Sequence, residues 1–183
     1  MKKLVLLPLV FGFIFSAYAV DVTQRATQDR KFDKWKVIEF AMPTQLLYRI
    51  STISINDRSQ TLTFDMDPVK GCQAAPAVLV IENMAPSKVS KEGMLIFEYK
   101  YPNQDSNVEI VKTVEQKNDK FEFAVFKKLT IPWLLSSNDA GKLAIWIPPS
   151  GDGVVKRSEN TYFPLQGLTP AYNYAKKLCN DNR

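Results

Sequence analysis

The stretch Leu46-Leu47-Tyr48-Arg49-Ile50-Ser51-Thr52-Ile53-Ser54-Ile55, followed by Asn56-Asp57-Arg58-Ser59 and then by Thr61-Leu62-Thr63-Phe64-Asp65-Met66, decides the fold class. Isoleucine, serine and threonine suit a pleated, half-buried surface, so the first segment reads as a strand. Asn56 to Ser59 supply turn chemistry, because asparagine, aspartate and serine side chains hydrogen-bond their own backbone. Thr61 to Met66 then alternates with a period of two, with Leu62, Phe64 and Met66 on one side and Thr61, Thr63 and Asp65 on the other. The whole predicts a β-hairpin.

The same pattern extends in both directions. Alternation begins at Phe32, with Trp35 and Val37 on one face and Lys34 and Lys36 on the other. Ala77 to Ile81 is a short apolar run entered through Pro76. Met94 to Tyr101 places Leu95, Phe97, Tyr99 and Tyr101 together and stops at Pro102-Asn103. Val108 to Val114 and Phe121 to Phe126 flank the polar turn Lys117-Asn118-Asp119 and read as adjacent antiparallel strands. Leu143 to Ile147 is a further strand, and Pro148-Pro149 with Gly151-Asp152-Gly153 makes the turn before a last one over Asn160 to Leu165.

Helical signals punctuate the end of the chain. Thr130 caps a short helix near 131–139, with Pro132 in its first turn and Gly141 after it. Thr169, with Pro170 at the first helical position, predicts a terminal helix near 169–179 whose stripe is Leu168, Tyr172, Ala175 and Cys179. About eight short strands with two helices predict a mainly β domain, a β-sandwich-like pair of antiparallel sheets.

At the other end, Lys2 and Lys3 precede an uncharged apolar run from Leu4 to Phe15, and Ala17-Tyr18-Ala19 gives a small-x-small site. That run is shorter than the roughly 20 apolar residues a membrane span requires. It predicts a bacterial Sec-type signal peptide over 1–19, cleaved between Ala19 and Val20, and delivery to the periplasm or the outside. No cysteine follows it to carry a lipid, and no later segment reads as transmembrane. Residues 20–31 read as a flexible polar lead, and 32–183 as one β-rich domain.

Cleavage leaves 164 of the 183 residues, enough for one domain with a sizeable core. Loss of Lys2 and Lys3 takes the net charge from +5 to +3. Basic residues such as Lys112, Lys117, Lys120, Lys156, Arg157, Lys176 and Lys177 are scattered and form no aromatic-interleaved run, which argues against nucleic acid as a partner. In an exported chain the two cysteines, Cys72 and Cys179, are expected to pair, closing a 107-residue interval.

The chemistry is sparse. The chain has no histidine, which removes Ser-His and Cys-His activation and the commonest transition-metal ligand. Its seven glycines form no phosphate loop, and no cofactor is implied. Asp65 and Asp67 are the carboxylate pair on which a hydrolase would depend. Their alternation with Phe64 and Met66 predicts that both face solvent at a turn, without the burial that raises a carboxyl pKa for acid catalysis. Glu98 and Glu122 are expected on polar strand faces. Trp133 beside Lys127 and Lys128 is a candidate interaction or membrane-interface surface, set against the simpler reading of Trp133 as cover for the core edge. Tyr48, Tyr99 and Tyr101 are candidates for lining a carbohydrate or peptide groove, although tyrosine is common in strands generally.

One resemblance rests on particular residues. The order Trp133-Leu134-Leu135, then Gly141-Lys142-Leu143-Ala144-Ile145, then Phe163-Pro164-Leu165-Gln166-Gly167-Leu168 leading to Ala171, resembles the C-terminal half of the invasion-associated locus B family. Trp35-Lys36-Val37 resembles that family's opening strand. Leu168 stands where the family has phenylalanine, and 82–128 is longer than its middle region. The resemblance implies a secreted, β-rich bacterial protein linked to host-cell invasion, with no catalytic residues to carry over. The function expected is therefore non-enzymatic binding to a protein or envelope component. The alternatives are a carboxylate-dependent hydrolase and a structural subunit of an envelope or secretion assembly, which a long apolar strand edge would favour.

Overall fold

The computed structural model describes residues 26–42, 45–82, 92–101, 105–115, 121–136, 141–146 and 160–183. The expected cleavage pair Ala19 and Val20 and the rest of 1–25 lie outside them, as do the segments Lys117-Asn118-Asp119 and Gly151-Asp152-Gly153, where the sequence predicts turns. The strands are β1 (Ala26–Phe32), β2 (Trp35–Ala41), β3 (Leu46–Ile53), β4 (Gln60–Met66), β5 (Val78–Glu82), β6 (Glu92–Lys100), β7 (Asn107–Glu115), β8 (Phe121–Val125), β9 (Lys142–Trp146) and β10 (Thr161–Pro164). Helix α1 (Ile131–Leu135) follows β8, and α2 (Leu168–Asp181) follows β10.

Every strand pairing is antiparallel, and the ladder runs β1-β2-β3-β4-β5-β8-β7-β6-β9-β10. It folds over into two antiparallel layers without closing into a barrel. Among the described residues β1 and β10, its ends, are not paired with each other. The layers meet where the Ile55 N–H donates to the Tyr162 carbonyl at 2.8 Å and the Trp35 indole donates to the Pro164 carbonyl at 3.0 Å. These tie the hairpin tip and β2 to the last strand. The core between them holds Trp35, Tyr48, Phe64, Phe97, Phe126 and Phe163, each at most 1% exposed.

The hairpin at 46–66 forms as its alternation dictates. Leu62, Phe64 and Met66 are buried, and the Asp57 carboxylate accepts from the Ser59 N–H at 3.0 Å, from the Ser59 hydroxyl at 2.6 Å and from Gln60 Nε2 at 2.7 Å. Thr130 caps α1 by accepting from the Trp133 N–H. That helix spans five residues, and 137–140 lie outside the description.

Two expectations change. Residues 26–31 are not a loose lead but belong to β1, paired to β2 along its length. Its side chains are nearly all exposed, so no apolar alternation marks it. Backbone pairing holds it, together with Arg30 set over the rings of Phe32 and Tyr174 at 5.3 and 4.7 Å. Helix α2 also begins earlier than Thr169. Gly167, left-handed at φ 87°, is the residue before the helix and offers no side-chain cap, and the helix runs on to Asp181. Its buried stripe is Leu168, Ala171, Ala175 and Cys179, with Tyr172 at the margin beneath Lys176. The helix packs mainly on β3 and β2. Cys179 there forms a disulfide with Cys72 across a Cα–Cα distance of 5.7 Å.

Candidate functional site

Strands β6, β7 and β8 present two different faces. Phe97, Tyr99, Val111 and Ala124 point into the core. The alternate positions carry Ile96, Val108, Ile110 and Val125, which are 56%, 59%, 60% and 43% exposed. Ile96 and Ile110 are direct cross-strand partners. Val108 precedes Ile110 by two residues on β7, and Val125 lies on the neighbouring β8. Scattered surface aliphatics need no explanation, but three branched side chains more than half exposed on adjoining positions form a contiguous apolar surface.

The reverse face explains this parity. Glu109 occupies the inward position between Val108 and Ile110 and is 5% exposed. Its carboxylate accepts from the Lys127 and Lys128 backbone N–H groups, the latter at 3.2 Å, and from the Tyr99 hydroxyl at 3.3 Å. A buried carboxylate needs such donors, and here they come from the corner between β8 and α1. Glu109 is thus an acceptor already engaged on both oxygens. No signal in the sequence singles it out, because apolar residues stand at both parities around it.

Burial first, then the charge of Glu109 and the hydrogen bond to it, push the Tyr99 phenol from 10.0 up to about 12. The fold therefore favours the neutral phenol. Its contribution to stability is intact below the ordinary value of 10.0 and is lost as pH rises through about 12. Alkaline unfolding of the wild type is expected to be steeper across that window than for Tyr99→Phe, in which no phenol titrates at this position. Superimposable profiles would contradict the assignment.

The residues singled out in the sequence take other roles. Trp133 is half-buried, stacked on Tyr101 with centroids 4.3 Å apart and edge-on to Tyr99 at 5.3 Å. It covers the core edge, while the Lys127 and Lys128 side chains beside it are exposed. Tyr48, Tyr99 and Tyr101 are only 0%, 2% and 3% exposed, too buried to offer their rings to an open groove.

Of the acidic pair, Asp65 keeps the outward, part-exposed position that its alternation predicts, and Asp67 does not. Asp65 forms a two-pronged pair with Arg49 at 2.6 and 2.7 Å, and Asp67 is 9% exposed. The Asp67 carboxylate accepts from the Val69 N–H at 2.9 Å, capping the turn Pro68–Lys70, and its carbonyl accepts from the Cys72 N–H at 3.0 Å. Both carboxylates are structural, and Asp67 shapes the approach to the disulfide. Asp65→Asn with Asp67→Ala is expected to lower stability by about 1–2 kcal/mol, mostly through the cap. A urea-unfolding change below about 0.5 kcal/mol, the scatter of ordinary surface sites, would contradict this.

Among the described residues no group of His, Cys, Asp or Glu is arranged to hold a metal ion. No described helix is long and apolar enough to cross a membrane. No family model, curated protein or solved structure matches the chain.

Proposed function

We propose that the chain is exported to the periplasm or the cell surface and acts there as a non-enzymatic binding module that docks a protein partner on the outer face of β6, β7 and β8. The observation that carries this reading is the contiguous surface of Ile96, Val108 and Ile110. Branched aliphatics without a cationic frame do not suit nucleic acid. Although Trp146 and Lys100 share this outer face, the Glu98 carboxylate lies beside them, so the aliphatics lack the uniformly basic rim that favours an anionic lipid surface. They do suit the apolar centre of a protein interface.

Export is supported by the leader pattern at 1–19 and by the Cys72–Cys179 disulfide, which persists in oxidising compartments. The resemblance of the Phe163 to Ala171 segment to the invasion-associated locus B family supports a surface role in contact with host cells. The hydrolase alternative loses support because Asp65 and Asp67 are committed to Arg49 and to backbone N–H groups. The assembly-subunit alternative would be favoured by an apolar strand edge, whereas β1 carries Thr27, Gln28, Asp29, Arg30 and Lys31 along its edge.

The mature protein is expected to begin at Val20 on N-terminal sequencing. Pull-down from envelope and host-cell extracts should recover a protein that Ile110→Asp fails to recover at unchanged melting temperature. Recovery of the same proteins by wild type and variant would overturn the assignment of the face.

A further inference from the structure

Beyond the aliphatic surface, the same outer face continues onto β9. Glu98 of β6 pairs with Trp146 of β9, and Lys100 pairs with Ala144. Phe97, Tyr99 and Ile145 point into the core, so Glu98, Lys100 and Trp146 share the outside. With Asn160, just ahead of β10, they line an open pocket of about 230 Å³. That is below the roughly 300–1,000 Å³ of pockets for drug-sized ligands and suits one ring-sized group.

We propose that this pocket is a binding subsite for a neutral sugar ring. An indole gives a flat apolar platform for the carbon-bound hydrogens on one face of a pyranose, while its polar edge stays in water. Around it stand an acceptor-only carboxylate, a donor-only ammonium and an amide that does both. Vicinal hydroxyls donate and accept at once, which this set matches. None of the four side chains is engaged in a hydrogen bond or ion pair with another described residue.

Charge decides between ligand classes. An anion drawn to Lys100 meets Glu98, and a quaternary cation drawn to Trp146 and Glu98 meets Lys100. A neutral polyol uses both groups without a net electrostatic cost. The walls are also held in place before binding. Asn56 Nδ2 donates to the Asn160 carbonyl at 2.8 Å, and Asn56 Oδ1 accepts from the Tyr162 N–H at 3.0 Å and from the Ser54 hydroxyl at 2.9 Å. Strand pairing fixes Trp146 against Glu98. Binding therefore orders few groups, which favours even a small ligand.

The test follows the Trp146 indole N–H by NMR in the full mature protein during titration with glucose, galactose, mannose and N-acetylglucosamine. Glucuronate and choline serve as charged controls. At least one neutral sugar is expected to shift the indole signal saturably, with Kd on the order of 1 mM, and neither control should. Glu98→Gln, which keeps the side-chain shape, should weaken that binding by about tenfold. Trp146→Ala should abolish the accompanying shift of the Ile145 amide.

Ile110→Asp should bind sugar as the wild type does, which separates this site from the protein-docking surface. Absence of saturation with all four neutral sugars would overturn the proposal. So would saturation by glucuronate or choline alone, or sugar binding indifferent to Glu98→Gln.

Discussion

Cys179→Ser is expected to lower the unfolding free energy by about 2–5 kcal/mol, the range for loss of a native disulfide from an exported domain. The bridge closes 107 residues, and a loop that long is worth on the order of 4–5 kcal/mol in the chain-entropy model. It joins the buried stripe of α2 to the turn that Asp67 shapes, so it fastens the last element of the fold to the end of β4. Both half-cystines are buried, at 1% and 0% exposure, and serine at 179 would add an enclosed hydroxyl to that loss. Urea unfolding under non-reducing conditions measures the effect. In the native protein neither thiol should react with an alkylating reagent before reduction. Ready labelling of both, or an unchanged unfolding midpoint in the variant, would contradict the account.

Gly167→Ala should be of similar size, about 2–5 kcal/mol, for a different reason. Gly167 sits at φ +87°, where a Cβ costs about 1–2 kcal/mol. An added Cβ would also collide with the Phe32 carbonyl oxygen and meet Asp33 Cβ at 3.0 Å. The first of these obstacles is backbone and cannot rotate away, so the β1–β2 turn must move off the start of α2, with an overpacking cost of about 1–3 kcal/mol. Gly71 provides the control. It too has a positive φ, of +78°, but nothing within 4 Å of an added Cβ, so Gly71→Ala should show the backbone cost alone. Equal melting temperatures for the two variants would show that contact with the β1–β2 turn carries no weight.

Much of this architecture is legible in the chain. The hairpin at 46–66 and the strands at Trp35 and Phe97 declare themselves because one face is buried and a period of two must follow. Helix α1 is legible from Thr130 and Pro132, since cap chemistry is local. Strand β1 is not, because a charged edge strand is held by backbone pairing and has no apolar parity to read. The order of the ladder is also hidden. Pairing of β5 with β8 and of β6 with β9 joins residues far apart in the chain, and nothing local encodes it.

The candidate site was the least legible part. In Val108-Glu109-Ile110-Val111 the apolar residues occupy both parities, so hydrophobicity leaves the inward face undetermined. The backbone N–H groups of Lys127 and Lys128 settle it by requiring an acceptor, which brings Glu109 inside and turns Val108 and Ile110 outward. A reading based on Trp133, Lys127 and Lys128 found the neighbourhood of that corner but not the surface behind it. Asp67 misled for a related reason. Its side chain answers to the turn Pro68–Lys70 and not to the alternation of β4, which ends at Met66.

The central claim is that this domain works by presenting the face of Ile96, Val108 and Ile110 to a protein. Its most direct test is photo-crosslinking in living cells from a benzophenone amino acid placed at Ile110, with the same probe at the exposed Lys36 of β2 as the comparison. A discrete covalent adduct from position 110 that is absent from position 36, and is lost when Ile96→Asp is added, is the result predicted. Equal crosslinking from both positions, or none from 110 in cells where the exported protein is folded and disulfide-bonded, would contradict it.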